Sequence, residues 1–131
     1  MRRSSESPKS SMRILIIEPD EYYHNQFREQ MGSMAELISV RLGTAALEHL
    51  AKASPDLVVM ELALPDTAGY RILEHLHGSH RHVPVIIYSK ISHLDDIKSA
   101  LNFGVSGYFV KGQDTINDIK RLALNYAGRY V

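Results

Sequence analysis

The sequence predicts an α/β fold: a doubly wound parallel sheet of five strands with helices on both faces. Three observations predict it. From Met12 onward, strand-like and helix-like patterns alternate five times. The strand-like runs are short and apolar, the pattern of strands buried on both faces of a parallel sheet. The connections are short, so each helix must cross the sheet and return the chain to a parallel strand.

Taken in order, strands are predicted at Arg13 to Ile17, Leu37 to Leu42, Leu57 to Met60, Val85 to Tyr88 and Tyr108 to Val110, all rich in Ile, Val, Leu and Tyr. Helical stripes follow each of them. Tyr23, Phe27 and Met31 mark the first, Ala46, Leu47 and Leu50 the second, and Ile72, Leu73 and Leu76 the third. Ile97, Ala100 and Leu101 mark the fourth, and Ile116, Ile119, Leu122, Ala123 and Tyr126 the last. Asp20, Ser92 and Asp114 stand where N-terminal caps belong, each with a side-chain oxygen that accepts an orphan helix N–H.

Residues 1–11, MRRSSESPKSS, are Ser-rich and basic with no apolar residue after Met1, and they read as a disordered tail. Met12 is then a candidate translation start. Residues 12–131 are expected to form one domain, with no length left for an output domain. A formal net charge of zero gives no global attraction to nucleic acid or to an anionic membrane. The absence of cysteine excludes disulfides and thiolate chemistry and fits a reducing cytoplasm. No apolar run approaches the roughly 20 residues that span a bilayer, and the amino terminus lacks the apolar core of a signal peptide. The expected location is cytoplasmic.

Candidate chemistry centres on Glu61. The segment Pro55-Asp56-Leu57-Val58-Val59-Met60-Glu61-Leu62-Ala63-Leu64-Pro65-Asp66-Thr67-Ala68-Gly69 is a buried strand closed by a turn, and Glu61 stands at its carboxyl end, where open α/β folds place their ligands. Three further segments end strands in the same way: Ile14-Leu15-Ile16-Ile17-Glu18-Pro19-Asp20, Val85-Ile86-Ile87-Tyr88-Ser89-Lys90 and Gly107-Tyr108-Phe109-Val110-Lys111-Gly112. Together they resemble the receiver domains of bacterial two-component response regulators, the CheY-like family, over Met12 to about Ala127. The resemblance implies the flavodoxin-like strand order 2-1-3-4-5. Its switch point lies between the first and third strands, whose ends carry Glu18 and Glu61.

The resemblance also implies a phosphotransfer site. Receivers move a phosphoryl group from a phosphohistidine to an aspartate, with Mg²⁺ offsetting the charge repulsion. Here Glu61 occupies the phosphoacceptor position, and its extra methylene extends the carboxylate by roughly 1.5 Å. Glu18 matches the first residue of the acidic pocket, whereas Pro19 stands where the second acid belongs and has no side chain that binds a metal. Asp20 completes the acidic pocket or, more simply, caps the first helix. If Mg²⁺ binds, its ligands are Glu18, Asp20 and Glu61; with Pro19 in place, no cofactor is expected. Ser89 matches the switch hydroxyl, Lys111 the phosphate-binding lysine and Tyr108 the aromatic that swings inward on activation. Lys90 replaces a small residue and has two readings, a lysine covering the site or one pointing into water. Gly112 replaces a proline.

The expected function is an atypical single-domain response regulator in phosphorelay signalling, a pseudo-receiver rather than an enzyme, as a monomer or weak homodimer. It would bind signalling proteins through the face of the fourth helix, fifth strand and fifth helix, which includes Ile91, Lys98, Asn102, Phe103, Tyr108, Asn117 and Arg121. The alternative is an orthodox phosphoacceptor, phosphorylated by a histidine kinase with Mg²⁺. A flavodoxin-like enzyme is a third class, but the loop after Ile17 offers Glu18, Pro19 and Asp20 instead of a hydroxyl- and glycine-rich phosphate cradle. His75, His77, His80 and His82 crowd the segment after the third helix. They read as a solvated loop at the far end of the sheet from Glu61 rather than as a metal site, because a spacing of two does not gather side chains on one helical face.

Overall fold

The computed structural model describes residues 12–127, so the tail expected at residues 1–11 lies outside the described residues. The chain runs β1 (Met12–Ile17), α1 (Glu21–Met31), β2 (Ala35–Val40), α2 (Gly43–Lys52), β3 (Leu57–Met60), α3 (Gly69–Ser79), β4 (Val85–Ser89), α4 (Leu94–Asn102), β5 (Gly107–Val110) and α5 (Ile116–Ala127). The strands pair in parallel in the order β2-β1-β3-β4-β5, as the resemblance implies.

Alternating side chains of the strands feed two separate cores. Leu15, Ile17, Val58, Met60 and Ile87 face α2, α3 and α4, where they meet Ala46, Leu50, Ile72, Leu73, Leu76 and Ala100. Ile14, Ile16, Leu57, Val59 and Ile86 face α1 and α5, where they meet Phe27, Met31, Ile116, Ile119 and Ala123. Both faces of the central strands are therefore dry, which is why those strands read as continuous apolar runs. Burying each such side chain contributes roughly 1.5–3 kcal/mol. The carboxyl ends of β1, β3 and β4 are thus set on a rigid platform.

Strands β1, β4 and β5 each extend one residue past the expected range, to Met12, Ser89 and Gly107, and larger differences lie in β2 and at the starts of α4 and α5. Strand β2 starts two residues earlier than expected and stops at Val40, because its register is set by β1, from Met12 against Ala35 to Ile17 against Val40. Leu42 leaves the sheet, stands 42% exposed and takes the N-cap position of α2, whose first N–H groups are instead bound by Asp66 (Gly43 N–H at 2.8 Å and Thr44 N–H at 2.9 Å). Ser92 does not cap α4; His93 precedes the helix without a side-chain cap, and Asp95 and Asp96 in the first turn complement the helix dipole. Asp114 does not cap α5. Its carboxylate closes the turn after β5 by accepting the Val110 N–H at 2.7 Å, and Thr115 and Asp118 form a reciprocal capping box in its place. Asp20 does cap α1, accepting the Tyr22 N–H at 2.9 Å.

Candidate functional site

The parallel pairing carries two acids to adjacent strand ends. The Glu18 N–H donates to the Val40 carbonyl and the Glu61 N–H to the Ile17 carbonyl, each at 3.0 Å, so both backbones are fixed by the sheet. After Glu61 the chain turns tightly into α3. A Cβ on Gly69 would lie 2.6 Å from the Leu62 carbonyl oxygen, so only glycine permits this close return. Glu18 and Glu61 are each 2% exposed and Ser89 is 0% exposed.

Lys111 reaches in from the end of β5 and binds both acids, Glu18 Oε1 at 2.8 Å and Glu61 Oε1 at 3.0 Å. Its ammonium also sits 4.2 Å from the centroid of the Tyr23 ring, with Tyr88 behind. Each Glu61 oxygen has two donors. Oε1 takes the Lys90 N–H at 3.1 Å and Lys111 Nζ; Oε2 takes the Ala63 N–H at 2.9 Å and the Ser89 hydroxyl. Glu18 Oε2 takes the Asp20 N–H at 3.0 Å.

The electrostatics follow from these partners. Burial alone would raise the Glu61 carboxyl, but the Ala63 N–H, the Ser89 hydroxyl and Lys111 outweigh it and hold the group below the usual carboxylate range. At Glu18 burial wins over Lys111 and the Asp20 N–H, and the carboxyl lies above that range. Burial would depress Lys111, yet the two carboxylates push it above its ordinary value. The cluster carries two carboxylates and one ammonium, and Glu61 is the acid held most firmly in its charged form.

The structure brings Glu18, Glu61, Ser89 and Lys111 together and leaves two expected contributors outside. Lys90 does not cover the site: its side chain is exposed, and only its backbone N–H meets Glu61, because the chain turns outward as β4 ends. The Asp20 carboxylate faces the α1 N–H groups and not the pocket. Tyr108 is half-buried with its hydroxyl donating to the Ile91 carbonyl at 2.6 Å, and burial raises its pKa. Phe103 belongs to another surface, packing near Tyr70 and His77 and lining a cavity of about 200 Å³ with Leu73 and Leu76. Gly112 has a φ of 90°, which proline cannot adopt, so the turn after Lys111 takes a different path from a Lys-Pro turn.

Sequence reasoning missed three neighbours. Tyr23 and Tyr88 wall the Lys111 ammonium, and they stack edge to face at 5.6 Å. His24, 5% exposed, sits 2.5 Å by its Nε2 from the Glu18 carbonyl, and burial lowers its pKa. All three read in sequence as ordinary strand or helix positions. An aromatic pair at 22 and 23 beside the acidic loop was the one available signal.

A divalent cation of the kind the fold implies needs oxygen ligands with free lone pairs. Pro19 supplies no side-chain oxygen, the Glu61 oxygens are each engaged twice, and Lys111 stands between the two acids. Among the described residues no three His, Cys, Asp or Glu side chains gather in a metal-holding group. The donor set does not fit Mg²⁺ in this arrangement.

A five-stranded parallel sheet in the order β2-β1-β3-β4-β5, with acids at its switch point, defines the flavodoxin-like class of doubly wound folds. Residues 14–123 match the response regulator receiver domain family, and the chain belongs to it. It is a receiver domain of two-component signalling. The regulator of RpoS from Escherichia coli K12 is 28% identical over 116 residues, which are 88% of this chain and 34% of that protein, so the chain spans about a third of that relative. A receiver domain of an HD domain-containing protein from Pseudomonas fluorescens is 26% identical with a TM-score of 0.78, covering 90% of this chain and 87% of that one. The non-phosphorylated HemR receiver domain from Leptospira biflexa shares the fold at a TM-score of 0.81 and 18% identity, covering 89% and 94%. No helix among the described residues is long and apolar enough to cross a membrane.

Proposed function

We propose that this chain is a pseudo-receiver: it accepts no phosphoryl group from a phosphohistidine, uses no Mg²⁺, and acts by binding a signalling protein. The observation that carries the reading is the state of Glu61. A carboxylate has about four lone-pair sites, and four donors engage this one. A nucleophile needs one of them free and directed at phosphorus, in line with the leaving group. Pro19 removes a ligand from the cation such a transfer requires.

Binding runs through the face of α4, β5 and α5. Lys98, Asn102, Asn117 and Arg121 are exposed there and Ile91 and Tyr108 half-buried. The same two helices carry three of the large apolar side chains most exposed among the described residues, Leu94, Leu101 and Leu124, at 63%, 49% and 48%. Exposed leucines beside charged groups suit the centre and rim of a protein interface.

The test is incubation with Mg²⁺ and acetyl phosphate followed by intact-mass measurement. The expected result is no phosphoryl adduct. An adduct lost in Glu61→Gln would replace this reading with that of an orthodox phosphoacceptor.

A further inference from the structure

We propose that the cavity between the carboxyl ends of α3 and α4 binds a small monocyclic aromatic carboxylate, a molecule of the benzoate or phenylacetate kind. None of its lining residues belongs to the Glu61 cluster, so the proposal does not depend on the state of that carboxylate.

The volume of the cavity limits the size of the occupant. It measures about 200 Å³. An apolar cavity of about 150 Å³ holds one benzene ring, so a ring with a short carboxylate fits here and a larger cofactor does not. The walls decide what the body of that occupant is made of. Leu73, Leu76, Val83, Val85, Val105 and Phe103 line the cavity, and all six belong to or pack against the core between the sheet and α2, α3 and α4. Their side chains offer water no hydrogen bond, so an apolar ring gains by displacing it. Phe103 adds an aromatic surface. The His77 ring already meets it edge to face at 6.3 Å, an arrangement that a further ring in the cavity extends.

The polar end of the occupant follows from which hydrogen-bonding groups at the mouth are already used. Two helices end here, and the free carbonyls of a helix end would attract a cation. At this mouth those carbonyls are taken. Leu76 accepts the His80 N–H at 2.8 Å, His77 the Arg81 Nε–H at 3.3 Å, Ala100 the Phe103 N–H at 3.0 Å and Leu101 the Gly104 N–H at 2.9 Å. Donors are what remain. Arg81 gives one of its five N–H groups to His77, which steadies the guanidinium and leaves its terminal N–H pair for a planar acceptor such as a carboxylate. His77 and His80 stand at the same rim, and no acidic side chain lines the cavity. Entry is open beside Gly104, where an added Cβ would meet no atom within 4 Å.

The experiment is an NMR titration of the full chain with sodium phenylacetate at constant ionic strength. Parallel titrations use acetate, which lacks the ring, phenethylamine, which reverses the charge, and a tripeptide ending in phenylalanine. Phenylacetate is expected to give saturable shifts at the methyl groups of Leu73, Val85 and Val105 and at the Phe103 ring. The dissociation constant should be on the order of 1 mM, which about ten non-hydrogen atoms can supply. Acetate and phenethylamine should move none of these signals. Arg81→Gln, a change at an exposed side chain, should weaken binding about 10-fold through loss of the charged donor pair. Val105→Phe, which fills the cavity, should abolish it. If Val105→Phe does not fold, Arg81→Gln and the phenethylamine titration decide the matter. The absence of saturable shifts at these groups up to about 20 mM phenylacetate, equal binding of phenethylamine, or an affinity unchanged in Arg81→Gln would overturn the proposal. Binding of the tripeptide without binding of phenylacetate would also overturn it, in favour of a protein terminus as the occupant.

Discussion

The two ends of the sheet each carry a polar cluster, and the clusters differ in how completely they are satisfied. At the carboxyl end Glu18, Glu61 and Ser89 are almost wholly buried, and every carboxylate oxygen has a donor. At the opposite end Ser54 lies in an exposed loop, with its hydroxyl 3.1 Å from His80 Nδ1 and 3.4 Å from His82 Nε2. Water screens and solvates the second cluster, so loose geometry costs little. The first has no such reserve: a buried charge without partners costs several kcal/mol, so burial demands full pairing. On the proposed pseudo-receiver reading, a site closed in this way resists both a metal and a phosphoryl group.

The comparison is most easily broken at Lys111. Lys111→Met leaves two buried carboxylates without their cation, and chemical denaturation should show a loss of about 3–5 kcal/mol. Glu61→Gln leaves several donors facing an amide and should cost about 1–3 kcal/mol by the same measurement. Asp20→Ala, which removes the α1 cap, should cost about 1 kcal/mol. His80→Ala and His82→Ala should each stay within about 0.5 kcal/mol of wild type. Losses at the histidine end as large as those at Lys111 would erase the contrast.

Acidity sharpens the same comparison within the closed cluster. The folded pKa of Glu61 lies below 4.5, so its contribution to stability is present above pH 4.5 and is lost as pH falls through the folded value. Glu18 has the opposite sign. Its folded pKa lies above 4.5, so the fold gains stability as pH falls through that value towards 4.5. Melting curves across acidic pH should therefore show the deficit of Glu61→Gln shrinking below pH 4.5. Wild type should gain on Glu18→Gln above pH 4.5 as the solution is acidified. Parallel curves for the two variants would refute the assigned directions.

The architecture was legible because each strand and helix carries its own period: apolar runs at Leu57–Met60 and stripes such as Ile72, Leu73 and Leu76 need no tertiary context to be seen. Glu18, Glu61, Ser89 and Lys111 were legible for a related reason, since each ends a strand and the parallel sheet must bring those ends together. What failed depends on partners distant in sequence. The limits of β2 are set by pairing with β1, and the α2 N-terminus is bound by Asp66 from the loop before α3. Lys90 illustrates the remaining difficulty. Sequence places the residue beside the acid but does not say whether the side chain or the backbone N–H faces it.

The closed carboxylate site is tested most directly by an amide NMR titration of the protein with Mg²⁺ and then with beryllofluoride, a phosphoryl mimic. The account predicts no saturable shift at Glu18, Glu61 or Ser89 with either addition, and Tyr108 resonances that stay in place. Saturable shifts at Glu18 and Glu61 with Mg²⁺, extending to Ser89 and Tyr108 with beryllofluoride, would contradict it and show a working receiver.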